Sequence, residues 1–373
     1  MFRPQIQKTR VLLGLAILNV IMVYWTSHSY ERNPTYGFEL KNQAVQIMED
    51  AISAMRLEFR ENNINTGKDL DSFGDFLIGP KNSIIKTTSG SYISKQSTLN
   101  PDFAAMIVEM LIELEIDSSD KIAVAYTGSY PGANIAVLSA LEVFGIDATI
   151  ISSCGASEYG ATYPNMTWND IESKLFHEKI FSNKSYYASI GGGLDIGTQM
   201  KISGKEACEK SIYSNNIKIL SELGLKKNIQ HRMQYYNDKF VADDISLFIN
   251  VGGGIYSIGD SIKRKEIPPG IIYPGDIKST MHTTVLESFL YQNIPVININ
   301  HIYELTDWYN LPYPPYDNYK YGIGSLFYSK KQYNPKVILF AFCIVLGSVV
   351  TIGIISHREI KERMQSSEPE SII

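Results

Sequence analysis

Apolar and polar positions divide the chain into two uniformly apolar ends and a long, alternating middle. The first apolar run extends from Val11 to Thr26. Tyr24 and Trp25 close it, as aromatic residues do at a membrane surface. A membrane-spanning helix needs roughly 20 residues, so this run is short and a signal peptide is the alternative. The following segment, SHSYERNP, lacks the small-x-small pattern that signal peptidase prefers. The pattern therefore favours an uncleaved anchor.

The second apolar run, Val337 to Ile355, has 19 residues without a charge. A buried core helix is rarely so long and so apolar. Basic residues precede the first run, which favours a cytoplasmic N-terminus, and two spans return the C-terminus to the same side. We therefore predict a two-pass cell-membrane protein: a cytoplasmic N-terminus (1–10), a transmembrane helix (11–29), an extracytoplasmic α/β domain (30–335), a transmembrane helix (336–356) and a cytoplasmic tail (357–373).

The middle of the chain alternates β-rich runs with helical patterns. Residues 35–60 predict an amphipathic helix. Strands predicted at 121–126 and 147–152 enclose a helix at 135–145, which is typical of a parallel βαβ unit. The second half of the domain also alternates strands and helices, with strands predicted at 185–190, 246–251 and 295–300 and helices at 206–223 and 283–292. We therefore predict an α/β fold: a doubly wound, mainly parallel sheet ectodomain flanked by an N-terminal and a C-terminal transmembrane helix.

Charge and cysteine usage narrow the chemistry of this domain. Residues 28–335 carry 27 Lys and Arg against 35 Asp and Glu, which argues against a broad nucleic-acid surface. An anionic ligand would need a local site. Cys343 lies in the second apolar run, and Cys154 and Cys208 could form one disulfide, although their spacing does not settle it. The chain has no CxxC motif for redox chemistry or zinc and no HExxH motif, and we predict no metal site and no cofactor.

Two similar glycine loops follow predicted strands: SIGGGLDIG at 189–197 and NVGGGIYSIG at 250–259. Glycine permits positive φ angles and close approach of backbone N–H groups to an anion. Tight turns without a ligand are the alternative. Neither loop has the GKS or GKT of a Walker motif, and neither matches GxGxxG. The predicted ligand-binding residues are Gly191, Gly192, Gly193, Asp195, Gly252, Gly253, Gly254, Ser129 and Asn134.

Catalytic residues are less well defined. Ser129 lies at a strand-to-helix turn, where an α/β hydrolase places its nucleophile, but its surroundings are not GxSxG. Asn134 alternatively caps the following helix, and Asp195 and Asp260 alternatively belong to turns or caps. The candidate catalytic residues are Ser129, Ser153 and Cys154 as nucleophiles, with His282 or His231 as the base. Spacing alone assembles no triad from them.

Several long segments resemble a known family: TTSGS (87–91), STLNPDFAA (97–105), residues 127–147, residues 150–172 and both glycine loops. The chain resembles, over nearly its whole length, the bacterial poly-gamma-glutamate system protein family, whose genes accompany the poly-γ-glutamate synthase. The resemblance implies an accessory membrane component of poly-γ-glutamate biosynthesis and capsule formation. Its implied partners are the synthase subunits, the poly-γ-glutamate chain and the lipid bilayer. The resemblance identifies no catalytic residue.

Three hypotheses follow. The first is a component that binds or guides the polyanionic chain, or supports the synthase. The second is a γ-glutamyl hydrolase or transferase that acts on the polymer. The third is a structural membrane protein that keeps an unused pocket, since a fold does not fix function. A nucleophile within hydrogen-bond reach of a base would favour the second hypothesis.

Overall fold

The computed structural model describes residues 8–68, 70, 74–222, 224–238, 245–260, 262–277, 283–316 and 319–366. The candidate base His282 lies outside these residues. The chain divides into two compact units. The first comprises Met1–Pro34 and Tyr328–Ile373, and the second comprises Thr35–Phe327. The second unit is close to the domain predicted at 30–335.

The helices and strands have the following bounds. The helices are α1 (Thr9–His28), α2 (Phe38–Glu61), α3 (Tyr92–Ser97), α4 (Asp102–Glu113), α5 (Pro131–Phe144), α6 (Trp168–His177), α7 (Ile202–Ser214), α8 (Leu225–Asp238), α9 (Ile255–Ile258), α10 (Lys263–Glu266), α11 (Val285–Tyr291), α12 (Ile302–Trp308) and α13 (Pro335–Ser366). The strands are β1 (Tyr30–Glu31), β2 (Lys121–Thr127), β3 (Ala148–Ser153), β4 (Tyr187–Ser189), β5 (Lys218–Leu220), β6 (Ile245–Val251), β7 (Gly270–Ile272), β8 (Val296–Ile299) and β9 (Gln332–Tyr333).

The first unit contains α1 and α13, which are both long and apolar enough to cross a membrane. Their apolar side chains are largely exposed, for example Leu13, Val20 and Phe342. Exposed apolar surface of this extent marks a site of membrane or protein contact. The short strands β1 and β9 pair antiparallel next to these helices.

The second unit is built on a seven-stranded sheet with the strand order β5-β4-β3-β2-β6-β8-β7. Every neighbouring pair is parallel except β7 and β8. The central strands are almost continuously buried, as expected for a parallel sheet covered on both faces. The predicted mixed α/β fold with a mainly parallel sheet is therefore confirmed.

The order of the strands reverses between β2 and β6. The chain proceeds outward from β2 through β3 and β4 to β5, and then returns to place β6 on the other side of β2. In such sheets the connections after the two central strands leave in opposite directions and open a crevice at their carboxyl ends. Both glycine loops follow strands of this sheet, β4 and β6.

The helix predicted at 206–223 differs from the structure. Helix α7 ends at Ser214, and residues 218–220 form the edge strand β5. Asn215 and Asn216 interrupt the helix, and Asn216 adopts a positive φ of 57°. Asparagine tolerates this left-handed conformation better than most residues do, so it ends a helix readily. The KIL segment then pairs with β4 and extends the sheet.

Candidate functional site

A cleft of about 460 Å³ lies at the carboxyl ends of the central strands, where the strand order reverses. Its volume is within the usual range for a small-molecule site. Its walls come from segments far apart in the sequence: residues 87–90, Lys95, Thr127, Ser129, Tyr130, Ser153, Gly155, Ser157, Gly192, Gly193, Asp195, Gln199, residues 253–255, Asp260, Arg264 and Asn300. The two glycine loops, predicted separately, therefore meet at one site.

The first glycine loop needs glycine for its backbone. Gly191 has a φ of 83°, and Gly192 has φ 73° with ψ −152°. The conformation of Gly192 is essentially restricted to glycine. The loop also closes on itself, because the N–H of Gly191 donates to the carbonyl of Asp195 at 3.1 Å and the N–H of Gly193 donates to Gln199 Oε1 at 2.6 Å.

A buried ion pair holds the first loop from below. Arg232 on α8 donates through Nη2 to Asp195 Oδ2 at 2.5 Å, and both side chains are almost fully buried. Ser189 Oγ donates to the other carboxylate oxygen at 2.8 Å, and Arg232 Nε donates to Asn228 at 2.7 Å. The charge of Asp195 is therefore neutralised inside the protein. Although Asp195 lines the cleft, its main contacts are structural.

The second glycine loop makes room for a side chain. A Cβ atom on Gly253 would lie 2.5 Å from Nη1 of Arg264, so the guanidinium group of α10 packs directly against this glycine. Arg264 forms no ion pair with a carboxylate among the described residues, and its buried Nε has no hydrogen-bond partner there. Burial lowers the pKa of Arg264 from its ordinary value. The second loop thus brings to the cleft a cation that no carboxylate contacts among the described residues.

Asp260 does not neutralise Arg264 by contact. Its Oδ1 accepts hydrogen bonds from the N–H groups of Ile262 and Lys263, both at 3.0 Å, and these bonds hold the pKa of Asp260 below its usual range. Asp260 therefore holds the backbone at the start of α10, and a turn or a cap is the role that the sequence analysis offered for it.

Several hydrogen-bond donors of the cleft have no acceptor. Within the part of the chain that the structure describes, the N–H groups of Gly192, Gly253 and Gly254 donate to no protein atom. Asn300 follows β8 and is 8% exposed, and its buried Nδ2 also lacks a partner there. Asn300 Nδ2 is buried, whereas the three glycine N–H groups are partly exposed on the cleft surface. Buried donors without a partner are rare in native proteins, so Asn300 together with the free glycine N–H groups points to a ligand that supplies acceptors.

Sequence reasoning missed Lys95. This lysine lies on α3, which Ser91 caps by accepting the N–H of Ser94. Lys95 is 2% exposed, and its Nζ donates to Ser157 Oγ at 2.8 Å. The same Nζ lies 3.4 Å from the ring centroid of Tyr130. Burial lowers the pKa of Lys95 well below its ordinary value. The only signal in the sequence was the match of the neighbouring TTSGS segment to the resembled family.

The structure places two of the three predicted nucleophiles in the cleft and buries the third. Ser129 and Ser153 line the cleft, and Ser129 Oγ accepts the N–H of Ser157 at 3.0 Å. Cys154 is fully buried beneath the cleft, and burial raises the pKa of its thiol well above the usual value. Cys208 lies next to Cys154 in the same apolar cluster, and both are free thiols. Cys154 is therefore poorly placed to act as a nucleophile.

Other predicted residues lie outside the cleft lining. Asn134 is fully buried in α5 and donates to the carbonyl of Thr127 at 2.9 Å, so it fixes the end of β2. His231 lies on α8, where its Nδ1 is 3.0 Å from Glu222. Gly191 and Gly252 form the bases of their loops, with positive φ angles. The structure does not bring His231 to any of the candidate nucleophiles.

Comparison with known proteins adds no assignment. No known protein family, curated protein or solved structure matches the chain. The chemistry of the cleft therefore rests on its own residues.

Proposed function

We propose that the cleft binds a chain of carboxylates and amides, and that the protein is a membrane component of poly-γ-glutamate synthesis and export. The observation that carries this proposal is the convergence of Arg264 with unpaired donors from both glycine loops. The carboxylates near the cleft are already engaged, Asp195 by Arg232 and Asp260 by backbone N–H groups. Asp195 is neutralised by its ion pair, and the acceptor atom Oδ1 of Asp260 is occupied by backbone N–H groups, so an incoming carboxylate would be bound by the free donors of the cleft.

The chemistry of the polymer suits these donors. Each residue of poly-γ-glutamate offers a carboxylate and an amide carbonyl, which are both acceptors. A guanidinium group binds a carboxylate through two parallel hydrogen bonds, and backbone N–H groups bind anions in glycine-rich loops. The neutral donor Asn300 Nδ2 suits an amide carbonyl. Recognition would depend on spacing along the chain as well as on charge.

The membrane arrangement is part of the proposal. We infer that α1 and α13 both cross the membrane, that both termini are cytoplasmic and that residues 30–335 face outward. We also infer a doubly wound domain. The length and apolar surface of the two helices and the reversed strand order support these inferences. In this arrangement the cleft would meet the polymer after it leaves the synthase.

The test measures binding with the full-length protein in detergent micelles. Isothermal titration calorimetry would compare poly-γ-glutamate of defined length with the same polymer converted to amides. We expect binding of the charged polymer only. Arg264→Met should weaken this binding by roughly 10- to 100-fold, because a hydrogen-bonded charged group contributes about 1.5–3 kcal/mol.

The matched control is Lys265→Met on the same helix. Lys265 is exposed, carries the same charge and does not line the cleft. Its substitution should leave the affinity unchanged. Equal affinity for the amidated polymer, or equal losses from Arg264→Met and Lys265→Met, would contradict a specific carboxylate site.

A further inference from the structure

We propose that Ser157 and Lys95 form a nucleophile–base pair that cleaves or transfers an amide-linked acyl group in the cleft. The pair is inferred from the geometry of Ser157 and Lys95 and does not depend on the proposed function. The identity of the substrate, a γ-glutamyl amide, rests on the proposed function. Neither residue was among the candidates that the sequence offered.

The nucleophile is held in place and open to the cleft. Ser157 Oγ accepts a hydrogen bond from Lys95 Nζ at 2.8 Å, which is within the range for a nucleophile and its base. The backbone of Ser157 is fixed on both sides, since its N–H donates to Ser129 Oγ at 3.0 Å and its carbonyl accepts from Gly160 at 2.9 Å. Ser157 lines the cleft together with Lys95. The backbone that carries the nucleophile is therefore fixed, and its hydroxyl lies against Lys95.

The base differs from other lysines around the domain. Lys86 lies 3.2 Å from Glu158, and Lys263 lies 2.6 Å from Glu287, so each has a carboxylate partner. Lys95 has no carboxylate partner among the described residues, and it is almost completely buried. Besides Ser157 Oγ, its other favourable contact for the charged form is the ring of Tyr130. A buried lysine of this kind holds a neutral amine more readily, and a neutral amine accepts a proton.

Oxyanion donors are available beside Ser157. A Cβ atom on Gly90 would lie 3.1 Å from Ser157 Oγ and 2.4 Å from the carbonyl of Glu158. This glycine therefore lets the 87–90 segment approach the nucleophile. The N–H groups of Thr88 and Ser89 in that segment donate to no protein acceptor within the described ranges. We assign these free N–H groups, in a segment that lies against the nucleophile, as the donors that would stabilise the negative charge of a tetrahedral intermediate.

The reaction balances with water or an amine as the second substrate. Ser157 Oγ forms a bond to the amide carbon while its proton moves to Lys95 Nζ. The C–N bond then breaks, and Lys95 returns that proton to the leaving amine. The product is an acyl ester on Ser157. Attack by water or an amine on this ester, with the proton again passing to Lys95, restores the serine hydroxyl and releases an acid or a new amide.

The first test is covalent labelling of the full-length protein in detergent with a fluorophosphonate, which reacts with activated serines. Peptide mapping by mass spectrometry should locate the label on Ser157. Lys95→Met should slow the labelling by at least about 100-fold, the lower range for general-base catalysis. Ser139→Ala, a buried serine of α5 outside the cleft, should label at the wild-type rate. Labelling of another serine, or an unchanged rate in Lys95→Met, would overturn the pair.

The pH profile separates a base from a merely structural lysine. The labelling rate should rise with pH as Lys95 loses its proton, with an apparent pKa well below that of an ordinary lysine. The other titratable groups that line the cleft are Tyr130, Asp195, Asp260 and Arg264. Burial raises the pKa of Tyr130 to about 12, backbone hydrogen bonds hold the pKa of Asp260 below its usual range, and Asp195 is held in its ion pair with Arg232. A profile of the same shape in Lys95→Met would overturn the assignment.

A third measurement distinguishes this proposal from the proposed function. Wild-type protein and Ser157→Ala are incubated with poly-γ-glutamate, and chain length is followed by gel electrophoresis. Shortening by the wild type alone supports the nucleophile and its substrate. Labelled Ser157 without polymer binding would keep the pair and refute the polymer as ligand. Polymer binding without labelling of Ser157 would keep the proposed function and refute the pair.

Discussion

The two glycine loops share a sequence pattern and differ in how they handle charge. In the first loop, Asp195 is paired with Arg232 beneath the surface. In the second loop, Arg264 packs against Gly253 without a carboxylate partner among the described residues. The charge of Asp195 in the first loop is therefore neutralised within the protein, whereas the charge of Arg264 beside the second loop is available to a ligand. Of two similar loops at one edge of the sheet, one can thus stabilise the site while the other binds the ligand.

The glycines also serve different purposes. Gly192 adopts a conformation that other residues avoid, so the backbone itself demands glycine. Gly253 has no positive φ, and the space it leaves is filled by a guanidinium group. In the first loop glycine sets the path of the chain. In the second loop it sets the position of a charge.

The largest effect should follow from breaking the ion pair. Asp195→Asn leaves Arg232 buried without a counter-charge, which we expect to destabilise the domain by about 3–5 kcal/mol. Thermal unfolding followed by circular dichroism measures the loss. Asp260→Asn is the matched control, since Asp260 is exposed and caps a single turn. Similar losses in both variants would show that the first loop is not held by its ion pair.

The scaffold of the first loop should also respond to pH. Glu172 on α6 accepts from Tyr126 and from Ser185, just before β4, and burial raises the pKa of Glu172 to about 7. Its folded pKa exceeds the unfolded value, so its contribution to stability is complete below about pH 4.5 and declines as the pH rises through 7. The free energy of unfolding of Glu172→Gln, minus that of the wild type, should therefore increase by roughly 2 kcal/mol between pH 5 and pH 8.

The measurement is the difference in unfolding free energy between the variant and the wild type at each pH. Ser139→Ala provides a control in which this difference stays constant. A difference between Glu172→Gln and wild type that does not change with pH would refute titration of Glu172 in this range.

The next prediction compares the stability of alanine variants at Gly192 and Gly253. Gly192→Ala forces a side chain into a glycine-only conformation, which should cost about 1–3 kcal/mol of stability. Gly253→Ala has no such backbone strain, so its free energy of unfolding should lie within about 0.5 kcal/mol of the wild-type value. Chemical denaturation of both variants under the same conditions compares them directly. Equal destabilisation would mean that the loops are structurally equivalent.

The smallest effect concerns ligand affinity. Gly253→Ala places a methyl group against the guanidinium of Arg264, which must shift away. We expect about a tenfold loss of affinity for poly-γ-glutamate, equivalent to about 1.4 kcal/mol. Calorimetric titration of the full-length protein measures it. Combining Gly253→Ala with Arg264→Met should add little further loss, and additive losses would show that the glycine acts independently of the arginine.

Much of the fold could be predicted from local patterns. The short apolar runs, the glycine at position 145 and the regular helix spacing predicted the β2-α5-β3 unit, and its parallel pairing is confirmed. Strand β5 could not be predicted, because KIL continues a helical pattern and becomes a strand only by pairing with β4. Tertiary contacts override local preference in such short segments.

Only part of the candidate site could be predicted, because some of its residues are defined by tertiary contacts and not by a local sequence pattern. The glycine loops have a local signature, so both were identified. Lys95 and Arg264 have none, since a lysine on a short helix or an arginine in a basic turn usually faces solvent. Lys95 is distinguished by its burial, and both residues lack a carboxylate ion-pair partner among the described residues. These are properties of the assembled domain. Cys154 shows the converse, because its loop position suggested reactivity while its burial argues against it.

The walls of the cleft come from positions as distant as residues 87 and 300, and this has a consequence for the energetics of the whole domain. A bound chain would link segments that separate when the domain unfolds. At 100 times its dissociation constant, such a ligand adds about 2.7 kcal/mol to the free energy of unfolding. Polymer passing through the cleft would then also act as a reversible cross-link, and the protein would be most resistant to proteolysis while it is occupied.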